Sequence, residues 1–210
     1  MIDVSQQISS VRRAVGARTL EAGEARVVTI ARTYAAELDD VWDACTNAER
    51  IPRWFLPITG ELRPGGTYQL EGNAGGTIER CDPPKGFAAT WEFAGAVSWI
   101  ELKLSSTPEG TLFQLDHIAP VSEHWEKYGP AATGVGWDMM IMGLTLHLTS
   151  GAAIDPEESM AWQTSDEGKD FVAQSSEQWY EADVASGEDK ALARKRADAT
   201  FAFYTGAPEA

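Results

Sequence analysis

The chain has 210 residues, with 32 acidic against 17 basic side chains and a formal charge of −15. That sign opposes a phosphate backbone or an anionic bilayer at long range, which argues against nucleic acid or a membrane surface as a partner. A 43% hydrophobic content with eight tryptophans supplies a sizeable core, and at this length roughly 70% of the unfolded surface can be buried.

Cys45 and Cys81 are the two cysteines, and they read as isolated buried thiols of a reducing cytoplasm, with a single disulfide as the alternative. Met1-Ile2-Asp3-Val4 carries no basic region ahead of an apolar core, so no secretory signal is expected. No run reaches 18 apolar residues, and a cytoplasmic protein without membrane insertion is the expectation.

Val4, Ile8, Val11 and Val15 recur at helical spacing, which predicts a helical N-terminal segment over residues 1–25. Arg26 to Thr33 is rich in β-branched residues and reads as a first strand. Asp39 or Asp40 can cap a short helix through Val41, Trp42 and Cys45, and a second short helix from Asn47 should end at Ile51, ahead of Pro52. Trp54-Phe55-Leu56-Pro57 follows as an apolar plug. From Glu61 onward, Gly- and Pro-rich turns separate short strands. Phe87, Ala89, Trp91 and Phe93 alternate with Ala88, Thr90 and Glu92, which turns an aromatic row inward. Ile100, Leu102 and Leu104 do the same in the next strand, and Thr111, Phe113, Leu115 and His117 share one face of the last.

Gly134 to Leu148 is the most apolar long segment. Trp137, Met140, Ile141, Leu144 and Leu148 fall on one helical stripe, while Val135, Met139, Met142 and Leu146 fall nearly opposite. Such a helix needs two covers. A curved antiparallel sheet is expected on one side, and residues 151–210, or a second subunit, on the other. In that extension Ser165 can cap one helix, with Phe171, Val172, Ser175 and Trp179 on a face and Gly187 as its stop; Asp189 can begin another, with Leu192, Ala199 and Phe203 aligned. Met160 and Trp162 are further expected covers. The fold class is α+β: six or seven antiparallel strands around one long helix in a domain over residues 26–150, with a helical C-terminal extension.

Several stretches also carry a resemblance. Val41-Trp42-Asp43-Ala44-Cys45 through Arg53-Trp54-Phe55, then Leu62-Arg63-Pro64-Gly65-Gly66, Gly76-Thr77-Ile78-Glu79, Pro83-Pro84, Thr90-Trp91, Gly110-Thr111, His117 and Gly136-Trp137, taken in order, resemble proteins of the activator of heat-shock-protein ATPase homologue type. These belong to the SRPBCC, START or birch-pollen-allergen-like superfamily. The resemblance covers residues 26 to 150. It implies a helix-grip fold whose sheet and long helix enclose a cavity that commonly receives small apolar ligands. It also implies diverse roles: lipid or hormone binding, polyketide cyclisation, self-sacrificing resistance to reactive natural products, and chaperone activation. No shared catalytic set comes with it.

The candidate ligand-binding residues are Trp54, Phe55, Phe87, Trp91, Phe93, His117, Trp137 and Met140. Against this stands plain core packing, and for His117 a buried imidazole satisfied by a neighbour. Asp138 and Glu92 read as solvated carboxylates, and His124 and His147 as structural or exposed. The histidines and cysteines lack metal-site spacing, so neither a metal nor a cofactor is expected. Three functions remain open: a binding protein for a small apolar molecule, a cyclase- or hydrolase-type enzyme using His117, and a protein-interaction module with a protein partner or a homodimer.

Overall fold

The structure is a computed structural model and describes residues 3–21 and 23–208. The expectation for Met1 and Ile2 lies outside the described residues. The elements run α1 (Val4–Ser9), β1 (Arg12–Leu20), β2 (Gly23–Tyr34), α2 (Leu38–Thr46), a 3-10 turn (Ile51–Arg53), β3 (Ile58–Gly60), β4 (Thr67–Leu70), β5 (Gly75–Asp82), β6 (Gly86–Phe93), β7 (Ala96–Thr107), β8 (Gly110–Pro120), α3 (Glu123–Tyr128), α4 (Ala131–Ser150), α5 (Pro156–Thr164), α6 (Asp166–Ala185) and α7 (Lys190–Thr205). Eight strands form one curved antiparallel sheet in the order β1-β2-β8-β7-β6-β5-β4-β3, which with the long helix α4 makes a helix-grip fold. The expected six or seven strands become eight because β1 adds an edge strand.

That strand corrects the helical reading of residues 1–25. Asp3 caps α1 by accepting from the Gln6 amide at 2.9 Å, but the hydroxyls of Ser9 and Ser10 turn back onto the Gln6 carbonyl and the helix stops. Arg12–Leu20 then runs as a strand. Its Arg, Ala and Gly content gives little strand signal. The second short helix is also replaced. Pro52 sits inside the first turn of a 3-10 segment, where its missing N–H costs nothing. Helix α2 has Glu37 as its N-cap without a side-chain bond, and Asp39 and Asp40 lie in its first turn, beside the positive end of the dipole.

The chain divides into two compact units. The first gathers Met1–Ile30, Pro120–Met139 and Asp155–Ala210. Its centre is a buried ion pair: Asp138 accepts from Arg13 Nη2 at 2.8 Å and Nε at 3.0 Å, with the two side chains 2% and 1% exposed. Ser175 Oγ and Trp179 Nε1, both on α6, donate to the same carboxylate at 2.6 and 2.9 Å. Asp138 is therefore not a solvated carboxylate. Sequence spacing on α4 put it off the main apolar stripe, but this helix is covered almost all round. Gly134, one turn earlier, lets the Trp179 ring lie against the helix backbone; a Cβ there would stand 2.2 Å from the indole. Ser165 caps α6 through the Gly168 amide and Asp189 caps α7, as their side-chain types imply. On α7 the buried face is Ala193, Arg196, Ala197 and Thr200, not the expected row, and Leu192 and Phe203 are exposed. Small side chains allow close approach: Thr200 and Tyr204 hydroxyls reach the carbonyls of Tyr128 and Ala132 at 3.2 and 2.7 Å. Met160 is also exposed, and α5 buries no residue. Trp162 stays half-buried, its ring against Phe171 at 5.5 Å.

The second unit holds Ala31–Ala119 and Met140–Ile154. The registers Phe87↔Leu102↔Leu115, Ala89↔Ile100↔His117 and Leu104↔Phe113 place one continuous apolar face across β6, β7 and β8. The second half of α4 lies over this face. Tyr34 marks the contact, with its ring edge-on to Phe113 at 6.1 Å and its hydroxyl donating to the Ile141 carbonyl at 3.4 Å. The opposite face is polar, with Lys103 Nζ 3.0 Å from Asp116.

Candidate functional site

The inward face of the second unit collects Phe87, Trp91 and His117 as alternation requires, and adds Ser98, which stands opposite Trp91. His117 is 7% and Ser98 9% exposed. The Ser98 hydroxyl donates to the Trp91 carbonyl at 3.0 Å, so its oxygen accepts from His117 Nε2 at 2.9 Å. This fixes the tautomer with the proton on Nε2. Burial lowers the imidazole pKa to about 4, because a charged ring in that wall would lose its hydration. The Trp91 ring meets the imidazole edge-on at 6.1 Å. Ser98 was not singled out from sequence. Extending the Ile100–Leu102–Leu104 alternation back by two residues would have found it.

Trp54 and Phe55 stack at 5.8 Å in the segment before β3, and Trp54 Nε1 donates to the Ala44 carbonyl at 2.9 Å. The segment is pinned to the end of α4: Arg53 Nη2 donates to the Gly151 carbonyl at 2.7 Å, and the Ile154 amide donates to the Arg53 carbonyl at 2.8 Å. Gly143 permits this approach, since a Cβ there would lie 2.3 Å from the Trp54 carbonyl oxygen. Met140 is buried on α4.

Two expected wall residues lie elsewhere. Phe93 is 54% exposed at the mouth of the β6–β7 hairpin, where the alternation runs out into the Ala94-Gly95 turn, and it is not enclosed. Trp137 is buried, but in the half of α4 that belongs to the first unit. His147 is a structural group. Its Nε2 accepts from the Arg50 guanidinium at 3.3–3.4 Å and its Nδ1–H donates to the Ala152 carbonyl at 3.2 Å, which ties the end of α4 to the loop after α2. His124 is exposed beside Tyr128. Cys45 and Cys81 are both free and half-exposed as residues, although burial pushes the Cys45 thiol up to about 12. Among the described residues no group of three or more His, Cys, Asp or Glu is placed to hold a metal, and no helix is long and apolar enough to cross a membrane.

The arrangement is an aromatic wall with one hydrogen-bonding pair set into it. It can bury an apolar surface and orient a polar substituent. A base with a pKa near 4 is a weak proton acceptor at neutral pH.

No curated protein matches the chain. Among solved structures, it is similar to CalU16 from Micromonospora echinospora. The crystal structure shares 38% identity over 79% of this chain and 98% of that one, with a TM-score of 0.60. The solution structure shares 35% over 84% and 97%, with a TM-score of 0.70. DynU16, a protein of the dynemicin biosynthetic locus, shares the fold at 20% identity over 60% of this chain and 48% of that one, with a TM-score of 0.56. Residues 35–149 match the family described as activator of Hsp90 ATPase homolog 1-like protein. That span takes in α2, the 3-10 turn, strands β3 to β8, α3 and nearly all of α4, and so the chain is a member of the activator of Hsp90 ATPase homolog 1-like family within the SRPBCC superfamily.

Proposed function

We propose that this protein binds a small, largely apolar molecule in the cytoplasm, held within the second unit between the inward face of β6–β8 and the second half of α4. One observation carries the reading: Phe87 and Trp91 point to the helix side of the sheet yet stay half-exposed. Large rings in a filled core would be sealed; these keep surface that a guest can cover, and covering an aromatic ring contributes a few kcal/mol at about 25 cal/mol per Å². The Ser98–His117 pair would then orient a polar substituent of that guest. The low basicity of His117 favours binding over a cyclase or hydrolase reaction. A protein-interaction role draws less support from the extension, because α6 spends its apolar face within its own unit, with Trp179 and Phe171 fully buried. Titration with 1-anilinonaphthalene-8-sulfonate tests the reading. Saturable one-to-one binding is expected, weakened about tenfold or more in Trp91→Ala, since the lost ring is worth over 1.4 kcal/mol. Absence of saturation, or equal affinity in the variant, refutes it.

A further inference from the structure

The opposite face of the same unit carries a concavity. A groove of about 380 Å³ lies over β3 to β6. The registers Thr59↔Gln69, Thr67↔Thr77, Gln69↔Gly75 and Gly75↔Glu92 put the Thr59, Thr67, Gln69, Thr77 and Glu92 side chains on one face. Tyr68, between Thr67 and Gln69, points the other way and is buried, with its hydroxyl donating to the Thr90 carbonyl at 2.7 Å. The groove is therefore on the outer side of the sheet. Gly75, between Gln69 and Glu92 in the register, lets the Gln69 side chain lie across the strand, since a Cβ there would stand 2.5 Å from Gln69 Oε1.

The lining chemistry is one-sided. Gln69 directs its Nε2 hydrogens to the carbonyls of Leu70 and Asn73, both at 2.8 Å, which leaves Oε1 as the acceptor it can offer. Glu92 Oε1 takes the Thr90 hydroxyl at 2.9 Å, and its second oxygen is a further acceptor. Three threonine hydroxyls can both donate and accept, and no Lys or Arg lines the groove. An acceptor-rich surface with one carboxylate, on a chain of charge −15, recognises donors and repels anions. The volume falls in the range of small-molecule sites and suits a single sugar ring.

We infer that the outer face of β3–β6 is a binding site for a small polyhydroxylated molecule, with a protonated amine favoured and an anionic group rejected. The inference is independent of the apolar site, which faces the other side of the sheet. The test is NMR titration of the ¹⁵N-labelled full chain with glucosamine, glucose and gluconate. Saturable shifts at the amides of residues 59–60, 67–77 and 90–92 are expected for the first two. Glucosamine should bind about two- to fivefold tighter than glucose, the range an exposed ion pair gives. Gluconate should produce no saturable shift. Glu92→Gln should reduce glucosamine to the affinity of glucose. Thr67→Val with Thr77→Val keeps β-branched residues in the strands and should weaken both sugars about fivefold or more, with the thermal midpoint unchanged. No saturable shift with either sugar, binding of gluconate as tight as that of glucosamine, or affinities indifferent to both variants would overturn the inference.

Discussion

Asp138→Ala is the most informative single change in the first unit. It removes the acceptor of four hydrogen bonds: two from Arg13, one from Ser175 and one from Trp179. Arg13 keeps the carbonyls of Ile8 and Val11 through Nη1, each at 3.1 Å, but its charge is left buried without a counter-ion. Breaking such a pair costs about 3–5 kcal/mol. In a protein of this size each kcal/mol moves the thermal midpoint by about 2–4 °C, so a fall of about 6–20 °C is expected. Urea unfolding at pH 7 followed by tryptophan fluorescence measures the loss. Removing both charges in Arg13→Met with Asp138→Leu should cost less than Asp138→Ala alone, because no unpaired ion remains. The reasoning fails if the single variant lies within about 1 kcal/mol of the parent, or if the double variant is the less stable of the two.

Three further outcomes follow from the same geometry. His117 has a folded pKa of about 4 against about 6.5 unfolded, so the unfolded state binds the extra proton between those values. Stability from this group is complete above pH 6.5 and is lost as pH falls through 4, by up to about 3 kcal/mol; His117→Gln should flatten the stability-versus-pH slope in that window, and an unchanged slope would count against it. Gly134→Ala drives a methyl into the Trp179 ring and should destabilise by about 1–3 kcal/mol, read by the same urea experiment; a neutral result would show that the ring can retreat. Burial raises the Cys45 thiol to about 12, and Cys81 less far, so a thiol reagent at pH 8 should label Cys81 first and Cys45 only on unfolding. Equal rates in the folded protein would contradict this.

Strong periodicity was readable in the sequence. The alternation of Phe87, Trp91, Ile100, Leu102, Phe113 and His117 gave the inward wall, and the apolar rod near residue 140 gave its cover, because side-chain period fixes which residues share a face. Three features escaped for physical reasons. Strand β1 is built from weak strand formers, so the Val4-to-Val15 spacing that runs from α1 into it reads as one helix although two serines end α1 early. Asp138 looked solvent-facing because nothing local announces Arg13, 125 residues earlier in the chain. Helix α7 buries alanines, whose lack of hydrophobic contrast let Leu192 and Phe203 draw attention to the wrong side. Within the site, Ser98 and the orientation of His117 depend on cross-strand register, which local pattern leaves undetermined.

The bonds that hold Arg53 and Trp54 also bear on gating. With Gly143 close beneath the Trp54 carbonyl, and Gly151 and Ile154 holding Arg53 through its side chain and its backbone, this plug is anchored to the end of α4. If the inward wall takes a guest as proposed, entry is expected through another part of the unit, at a rate that ignores conservative substitutions on the plug's outer surface.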